Sequence, residues 1–447
     1  MKRIIDYYLN NWKTDRFRKP LLLRGARQVG KTHAARALGK TFSDIFEINL
    51  ENQPGAHIIF EKDLQPDRII RELSALMQKP ITPGKTLLFI DEIQAVPQAI
   101  LALRYFYEQM PELHVIAAGS LLDFAIEQVG IPVGRVESLY MHPVSFIEFL
   151  CATTSDILVG ALFEHTSMNP ISDIAHQQLL QVLGEYLAIG GMPEAVKCWQ
   201  ETKDVLKCPK IHKSILSTYR QDFGKYARKL QMKYVELIFE HIPLQLGQKF
   251  KYTAIEGEFR KRELAPALDL LVTAGVAQKV YYSAGQGIPL GAQIDPLDYR
   301  VIFLDVALSQ QMLGLQTSGW YIDPLTEFVN KGALVETFVG QEILTYVDPT
   351  NYPALYYWHK ETGGNAEIDY LVQQEGHVIP IEVKSGEGRT LKSMQTFLES
   401  HSKSAYGIRF STQNYSEYNK VRSYPLYAVF QLATWDGELR KAIEALR

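Results

Sequence analysis

The sequence is poor in cysteine, in net charge and in long apolar runs, and each shortage excludes a class of protein. Its three cysteines are odd in number and lack C-x-x-C spacing, so neither a disulfide framework nor a zinc site is indicated. A formal net charge of −3 means that any surface attracting nucleic acid must be local. No run of about 18 apolar residues is present, so no membrane span and no membrane partner are predicted. These features favour a reducing, cytoplasmic setting.

Length and composition indicate a globular protein of several domains. The chain has 447 residues, whereas one domain usually contains about 100–200. Hydrophobic residues make up 46% and charged residues 22%, which argues against disorder. The opening segment, MKRIIDYYLNNW, is amphipathic and lacks an apolar signal core.

Residues 21–38, LLLRGARQVGKTHAARAL, contain the most specific motif. Leu21 to Leu23 predict a short buried strand, and an Ala/Leu-rich helix is predicted after Thr32. The eight residues between them that start at Gly25 fit G-x-x-x-x-G-K-[ST]. Glycines permit a tight turn, and successive N–H groups with the helix N-terminus form an anion nest. The pattern predicts a phosphate-binding loop; a Gly-containing turn followed by an incidental lysine is the alternative.

The loop has an expected set of ATP contacts. Lys31 is expected to reach the β- and γ-phosphates and to serve catalysis, and the Thr32 hydroxyl is expected to hold Mg²⁺. The expected nucleotide contacts are Gly25, Gln28, Val29, Gly30, Lys31, Thr32 and His33.

A second motif, TLLFIDEIQ, predicts a buried parallel strand that ends in two acids. Asp91 is expected to hold Mg²⁺ together with Thr32. Glu92 is expected to orient and deprotonate the attacking water as a general base. Two acids capping a strand are the alternative. Together the two motifs predict ATP hydrolysis rather than nucleotide binding alone.

Further candidates for the γ-phosphate follow. Ser120, after the predicted strand LHVIAAGS, is expected to sense that phosphate, or else to be a strand-end turn serine. Arg135 is a candidate to meet the phosphate in cis or across a subunit interface, so an oligomer is left open. A structural salt bridge is the alternative for Arg135. Arg220 and Arg228 are other candidate arginine fingers.

Four segments together resemble the AAA-type P-loop ATPases of prokaryotes. These segments are GARQVGKT, LLFIDEIQ, AAGSLL and GRVESLYMHPVSFIEFL. More narrowly, they resemble members of that group that are joined to an uncharacterised C-terminal domain. The resemblance covers residues 1–150.

The segment 151–235 has mostly helical patterns and is expected to be a helical lid over the nucleotide. Its sequence EYLAIGGMPEAVKCW resembles the Gly-Gly-x-Pro element in the lid of related ATPases. That resemblance implies that Pro193 lies near the nucleotide base. A plain helix–helix turn explains the same residues.

Residues 236–320 are expected to form a winged-helix-like domain. Helices are predicted at LIFEHIPLQL, FKYTAIEGEFR and ELAPALDLLVTAGV, followed by two strands around a Gly/Pro-rich wing. The span 225–262 contains nine Lys or Arg against four Glu, which favours contact with DNA phosphates. The alternative is a solvated face on a domain that transmits motion or binds protein.

Residues 321–447 contain a possible second active site. A helix with Glu336 is predicted before three strands, with Asp369 on the second strand and Glu382 and Lys384 on the third. Glu382 and Lys384 are two residues apart and therefore point to one face. The carboxylates of Glu336, Asp369 and Glu382 are candidate Mg²⁺ ligands, while Lys384 would stabilise charge at a scissile phosphate.

This arrangement resembles the D-(x)n-E-x-K core of restriction-endonuclease-like domains, also written PD-(D/E)xK. The resemblance implies catalytic roles for Asp369, Glu382 and Lys384. The alternatives are charges that decorate a solvent-facing strand, or a core kept for binding.

The predicted fold class is thus a multidomain α/β protein. It combines a P-loop parallel-sheet ATPase core, a helical lid, a winged helix and a restriction-endonuclease-like α/β C-terminal domain. The expected function is Mg²⁺-dependent ATP hydrolysis that controls a nucleic-acid-binding or nuclease-like domain. Two alternatives remain: a nucleotide-dependent switch or scaffold that binds DNA or protein without cleavage, and an ATPase that binds nucleotide without turnover.

Overall fold

The structure, a computed structural model, describes residues 1–165, 169–226, 229–362, 364–386 and 391–447. Within these ranges the strands form two sheets, one of five strands and one of eight. In this part of the chain, no helix has both the length and the apolar content needed to cross a membrane.

The first sheet is wholly parallel. Its strands are β1 (Leu21–Arg24), β2 (Asp44–Asn49), β3 (Thr86–Asp91), β4 (His114–Ala118) and β5 (Glu137–Tyr140). Their order is β2-β3-β4-β1-β5, so β1 lies between β4 and β5. Every residue of β3 is buried, which confirms the central strand predicted from its apolar run.

Helices cover both faces of this sheet. They are α1 (Ile4–Thr14), α2 (Lys31–Gly39), α3 (His57–Lys62), α4 (Pro66–Met77), α5 (Pro97–Gln109) and α6 (Leu122–Val129). The next helix, α7 (Phe146–Thr153), packs with the middle helices instead. Successive strand residues point to opposite faces. Leu22, Leu88 and Ile90 therefore pack with α3 to α6, while Leu23 and Phe89 pack with α1 and α2.

The middle of the chain is helical, as predicted. It contains α8 (Asp156–Glu164), α9 (Asp173–Ile189), α10 (Pro193–Thr202), α11 (Cys208–Tyr226), α12 (Lys229–His241) and α13 (Lys261–Thr273). The predicted break at GGMP separates α9 from α10, and Gly190 adopts a φ of 76° there. The helix predicted at FKYTAIEGEFR is wrong. That segment has only a 3-10 turn over Tyr252–Ala254, and Gly257 has a φ of 125°, which a helix does not allow.

The second sheet is mixed and crosses the expected domain boundary. Its strands are β6 (Ala277–Ser283), β7 (Ile294–Phe303), β8 (Leu355–His359), β9 (Glu367–Gln374), β10 (His377–Lys384), β11 (Gly407–Ser411), β12 (Ser416–Tyr418) and β13 (Val421–Pro425). Their order is β12-β13-β11-β10-β9-β8-β6-β7. The predicted wing strands are the antiparallel pair β6–β7, and β6 also pairs in parallel with β8. Strands on the two sides of the predicted domain boundary at 320/321 share one sheet. That boundary stays a prediction.

The remaining helices pack on this sheet and on the middle helices. They are α14 (Val306–Met312), α15 (Ser318–Ile322), α16 (Pro324–Asn330), α17 (Gly332–Thr345), α18 (Lys392–Ser400) and α19 (Gly437–Glu444). The three strands predicted around Asp369 and Lys384 are confirmed as β8, β9 and β10. Glu375 and Gly376, with φ of 45° and 86°, form the two-residue turn between β9 and β10.

One core joins the middle and C-terminal parts of the chain. Buried residues of α7, α9, α13, α17, β10 and α19 belong to the same hydrophobic cluster. The last helix also meets the first, since Tyr7 donates a hydrogen bond to Glu438 at 2.9 Å. The middle helices and the second sheet are therefore packed together rather than tethered.

Candidate functional site

The predicted phosphate loop lies between β1 and α2 and has the backbone that an anion nest requires. Gly25, Gln28 and Gly30 all have positive φ, at 133°, 65° and 104°. A Cβ built on Gly25 would lie 2.2 Å from the carbonyl oxygen of Met141, so only glycine fits there. Gly30 is the N-cap of α2, which aims the helix N-terminus at the loop.

Lys31 is buried inside the curve of the loop. Its Nζ donates hydrogen bonds to the carbonyl oxygens of Gly25 and Ala26 at 2.7 and 2.8 Å. Burial lowers the pKa of Lys31 to about 8, although Glu92 and Asp91 act to raise it. The ammonium is therefore still mostly charged at neutral pH.

The loop meets the end of β3 through Thr32 and Asp91. The Thr32 hydroxyl donates to Asp91 Oδ2 at 3.1 Å. Burial and the neighbouring Glu92 raise the pKa of Asp91 above its ordinary value. A hydroxyl and a carboxylate side by side at the loop fit Mg²⁺, which usually takes one or two carboxylates and completes its shell with water and phosphate oxygens.

Glu92, the expected general base, lies next to Ser120, the expected sensor of the γ-phosphate. The backbone N–H and the hydroxyl of Ser120 each lie 3.4 Å from Glu92 Oε2 as donors. Glu92 itself has a φ of 49°, in the left-handed region that non-glycine residues seldom occupy. Strained backbone of this kind concentrates at functional sites.

Sequence reasoning missed Gln94, which contacts the same carboxylate oxygen of Glu92 as Ser120 does. Gln94 Nε2 donates to Glu92 Oε2 at 2.5 Å. A Cβ built on Gly119 would lie 1.8 Å from Gln94 Oε1, so the glycine leaves room for this amide. In the sequence, the glycine directly before Ser120 was the feature that could have indicated this contact of Gln94.

Pro193, at the start of α10, lies beside the loop. Pro193 Cγ is 3.7 Å from a Cβ built on Gly30, and Arg3 Nη1 is equally close. Arg3, which sequence reasoning also missed, donates to the Val29 carbonyl at 3.3 Å and pairs with Glu148 at 3.0 Å. Of the remaining expected contacts, Gln28 and His33 are exposed and Val29 is buried.

The candidate finger arginines have other partners or lie outside the described residues. Arg135 Nε contacts Glu108 Oε1 at 2.9 Å on the surface. Arg220 contacts Glu240 at 3.7 Å. Arg228 lies outside the residues that the structure describes. A role for any of them at a nucleotide stays a prediction.

Later segments of the chain contact the outer edge of the loop. Arg27 pairs with buried Asp222 of α11 at 2.8 Å, and Tyr219 donates to the Arg27 carbonyl at 2.6 Å. A Cβ built on Gly275 would lie 3.2 Å from the Ala26 nitrogen, so the turn between α13 and β6 also touches the loop. A cavity of about 230 Å³ lies at this junction. It is lined by residues that include Gly25, Ala26, Val272, Leu304 and Glu342.

Basic residues of the span 225–262 are partly engaged within the molecule. Lys225 contacts Glu51 at 2.6 Å, and Lys249 contacts Asp298 at 2.5 Å. These two lysines are therefore less available to phosphates than the sequence count indicates.

The C-terminal candidates also come together. Asp369 of β9 accepts a hydrogen bond from the Val383 N–H of β10 at 2.7 Å, which places it opposite the Glu382–Lys384 segment. Lys384 Nζ contacts Glu382 Oε1 at 2.6 Å. The helix α17 brings in Glu336 from the side.

An unpredicted arginine occupies the centre of this group. Arg300 of β7 contacts Glu336 at 2.5 Å, Asp369 at 3.8 Å and also Glu367. Burial and Glu336 raise the pKa of Asp369 to about 8, against the lowering effect of Arg300. Burial likewise raises the pKa of Glu336. An arginine inside the apolar run YRVIFL was the available signal.

These carboxylates do not fit a divalent metal ion in this arrangement. Arg300 lies against two of the three expected ligands, Glu336 and Asp369, and Lys384 lies against the third, Glu382. Over the described ranges, no group of three or more His, Cys, Asp or Glu side chains is arranged to hold a metal ion.

Three family models match successive parts of the chain. Residues 17–150 match the model described as an AAA domain. Residues 180–319 and 331–429 match two domains of unknown function, DUF8612 and DUF4143. No curated protein matches the chain.

Among solved structures, the chain is similar to one described as the Walker-type ATPase paby2304 of Pyrococcus abyssi. The two are 13% identical, and the match covers 69% of this chain and 95% of that one, with a TM-score of 0.42. With the family match, the parallel sheet and the loop geometry together, residues 17–150 are a P-loop domain of the AAA type.

Proposed function

We propose that the N-terminal domain binds ATP with Mg²⁺ and hydrolyses it. The observation that supports this best is the hydrogen bond of 3.1 Å between Thr32 and Asp91, with Glu92 adjacent. Thr32 lies at the start of a helix that follows a glycine loop, and Asp91 ends the central strand. These are the positions from which one phosphate chain and one metal ion are reached together.

Each residue of the site has a distinct task in this proposal. Bound Mg²⁺ supplies positive charge at the phosphate oxygens, and Thr32 and Asp91 hold it. Lys31, charged at neutral pH, binds the β- and γ-phosphates. Glu92 orients and deprotonates water, and Gln94 and Ser120 fix its carboxylate.

Two substitutions test the proposal. We expect Lys31→Ala to abolish ATP binding measured by calorimetry. We expect Glu92→Gln to keep ATP binding and to lower the hydrolysis rate by about 10²–10⁴-fold, the usual contribution of a general base. Glu61→Gln, at an exposed glutamate of the same domain, is the matched control. If Glu92→Gln hydrolyses ATP at the wild-type rate, the domain binds nucleotide without this catalysis.

We further propose that the cycle of ATP binding and hydrolysis controls the domains that follow residue 150. The phosphate loop contacts α11 through the ion pair of Arg27 with Asp222. It also contacts the turn before β6, where Gly275 lies against Ala26. A change in loop conformation on ATP binding would therefore reach the lid and the second sheet through packed contacts. Pro193 beside Gly30 supports a lid that closes at the nucleotide.

A second candidate function is Mg²⁺-dependent cleavage of nucleic acid at the C-terminal site. It is favoured by the proximity of Asp369 to the Glu382–Lys384 segment and of Glu336 to both strands. In the arrangement described, its expected metal ligands Asp369 and Glu382 lie against Arg300 and Lys384, so this candidate requires those cations to move away. The contrasting candidate is a switch or scaffold that binds DNA or protein without cleavage, and the position of Arg300 favours it.

One assay separates these outputs. Single- and double-stranded DNA and RNA are incubated with the protein and Mg²⁺, with and without ATP. If the C-terminal site is a nuclease, we expect cleavage of nucleic acid that Lys384→Ala abolishes, while ATP hydrolysis persists. A scaffold predicts ATP-dependent binding, measured by mobility shift, and no cleavage with any divalent ion.

A further inference from the structure

We propose that Arg300 is the resident cation of the acidic cluster formed by Glu336, Glu367 and Asp369, and that this cluster binds no divalent metal ion while Arg300 is in place. The proposal concerns the cluster alone. It depends neither on ATP hydrolysis nor on cleavage of nucleic acid.

Arg300 is a buried cation that contacts several carboxylates, which distinguishes it from one partner of a surface ion pair. The arginine is only 4% exposed, and its Nη1 lies 2.5 Å from Glu336 and 3.8 Å from Asp369. Its Nη2 contacts Glu367. The guanidinium also lies 4.7 Å from the centroid of the Tyr357 ring. A planar fork with several carboxylates and an aromatic face is the environment that arginine fills and a spherical ion does not.

Each of the three expected metal ligands already has at least one carboxylate oxygen engaged by another group. Asp369 Oδ1 faces Arg300, and Asp369 Oδ2 accepts the Val383 N–H at 2.7 Å. Glu336 Oε1 is bound by Arg300. Glu382 Oε1 contacts Lys384, and its Oε2 is buried with no hydrogen-bond partner among the described residues. Of the three expected ligands, Asp369 thus has both oxygens facing other groups, while Glu336 and Glu382 each have one oxygen held by a cation. A Mg²⁺ or Mn²⁺ ion would have to displace these partners to complete its oxygen shell.

Charge leads to the same conclusion. Arg300 is buried, so it requires the carboxylates as counter-ions, since an unpaired buried charge is strongly unfavourable. A divalent ion at Asp369 would place two cations against each other in a site of low dielectric constant. The ion and Arg300 therefore exclude one another.

The strand β7 fixes Arg300 in this position. Two residues earlier, Asp298 accepts hydrogen bonds from Tyr357 and Lys249 and contacts His359 at 3.2 Å. Since Asp298 and Arg300 point to the same face of β7, this network holds the strand that presents the guanidinium. Withdrawal of Arg300 requires β7 to move or the side chain to change rotamer.

The test counts Mn²⁺ ions bound to the nucleotide-free full chain, from the free-ion signal in electron paramagnetic resonance. We expect wild type and Asp369→Asn to bind the same number of ions. We expect Arg300→Gln to bind one additional ion, and the double variant Arg300→Gln/Asp369→Asn to lose it. Arg422→Gln, at a partly exposed arginine of the same sheet that pairs with Glu417, is the control and should match wild type.

Two results overturn the proposal. One is a wild type that binds one ion more than Asp369→Asn, because the cluster would then take a metal with Arg300 present. The other is a folded Arg300→Gln protein that gains no ion. If Arg300→Gln does not fold, the comparison of wild type with Asp369→Asn decides alone.

Discussion

At the scale of single residues, the nucleotide site depends on how Glu92 is held. Its backbone lies in the left-handed region, and its carboxylate is contacted by Gln94 and Ser120. The motif TLLFIDEIQ identified Asp91 and Glu92 from the sequence because the acids follow a buried strand directly. Gln94 belongs to the same motif, yet its role depends on Gly119 of a different strand end, which the local pattern does not show.

Gln94 is a positioning residue for Glu92 in this account. Gln94→Leu keeps the size of the side chain and removes the donor. We expect kcat for ATP hydrolysis to fall by about 10- to 150-fold with KM unchanged, since a hydrogen bond to a charged group contributes about 1.5–3 kcal/mol. Gln109→Leu, at an exposed glutamine that ends α5, should leave kcat unchanged. A Gln94→Leu protein with wild-type kcat would show that Glu92 needs no such support.

A buried acid between α7 and α17 gives a second prediction for a single residue. Glu342 accepts hydrogen bonds from the Phe146 N–H and the Tyr346 hydroxyl, and burial raises its pKa to about 8. The pKa of Glu342 is higher in the folded chain than in the unfolded chain. The contribution of Glu342 to the free energy of unfolding is therefore fully present below about pH 4.5 and is lost as the pH rises through about 8.

Removing that acid should flatten the profile. We expect the free energy of unfolding of Glu342→Gln to depend less on pH between about 5 and 8, where the wild-type slope has a limit of about 1.4 kcal/mol per pH unit. Urea denaturation at several pH values measures this. A wild-type and variant pair with parallel profiles would assign the pH dependence to other groups.

At the scale of elements, local patterns predicted the strands and helices well. The strands β1, β3, β8, β9 and β10 were predicted because each is a short apolar or alternating run between turn residues. The join between β6 and β8 was not predicted, since parallel pairing between segments that far apart in sequence leaves no local signal. Arg300 was missed for the same reason: its partners lie on α17 and β9.

The contact between α11 and the phosphate loop is testable at this scale. Asp222 is buried and bonds Arg27 through both carboxylate oxygens, at 3.0 and 2.8 Å. We expect Asp222→Asn to lower the free energy of unfolding by about 1.5–3 kcal/mol, the usual contribution of a hydrogen bond to a charged group. Asp67→Asn, at an exposed position of α4, should change it by less than about 1 kcal/mol. Equal losses in the two variants would remove any special role for the Arg27 contact.

At the scale of the whole molecule, the two candidate sites belong to parts of the chain that are packed against each other. The phosphate loop touches Gly275, which precedes β6, and β6 pairs with the strand β7 that presents Arg300. Asp305, two residues after the end of β7, accepts a hydrogen bond from the Gly191 N–H between α9 and α10. Sequence reasoning assigned chemistry to each site separately, and only the fold relates them.

We propose that ATP bound at the phosphate loop changes the conformation of the second sheet. Hydrogen exchange of Glu92→Gln with Mg²⁺ and ATP tests it, because this variant should hold ATP without hydrolysis. We predict altered exchange in 272–283 and in 294–303, and no change in Lys31→Ala treated in the same way. Changes confined to residues 1–150 would contradict the account.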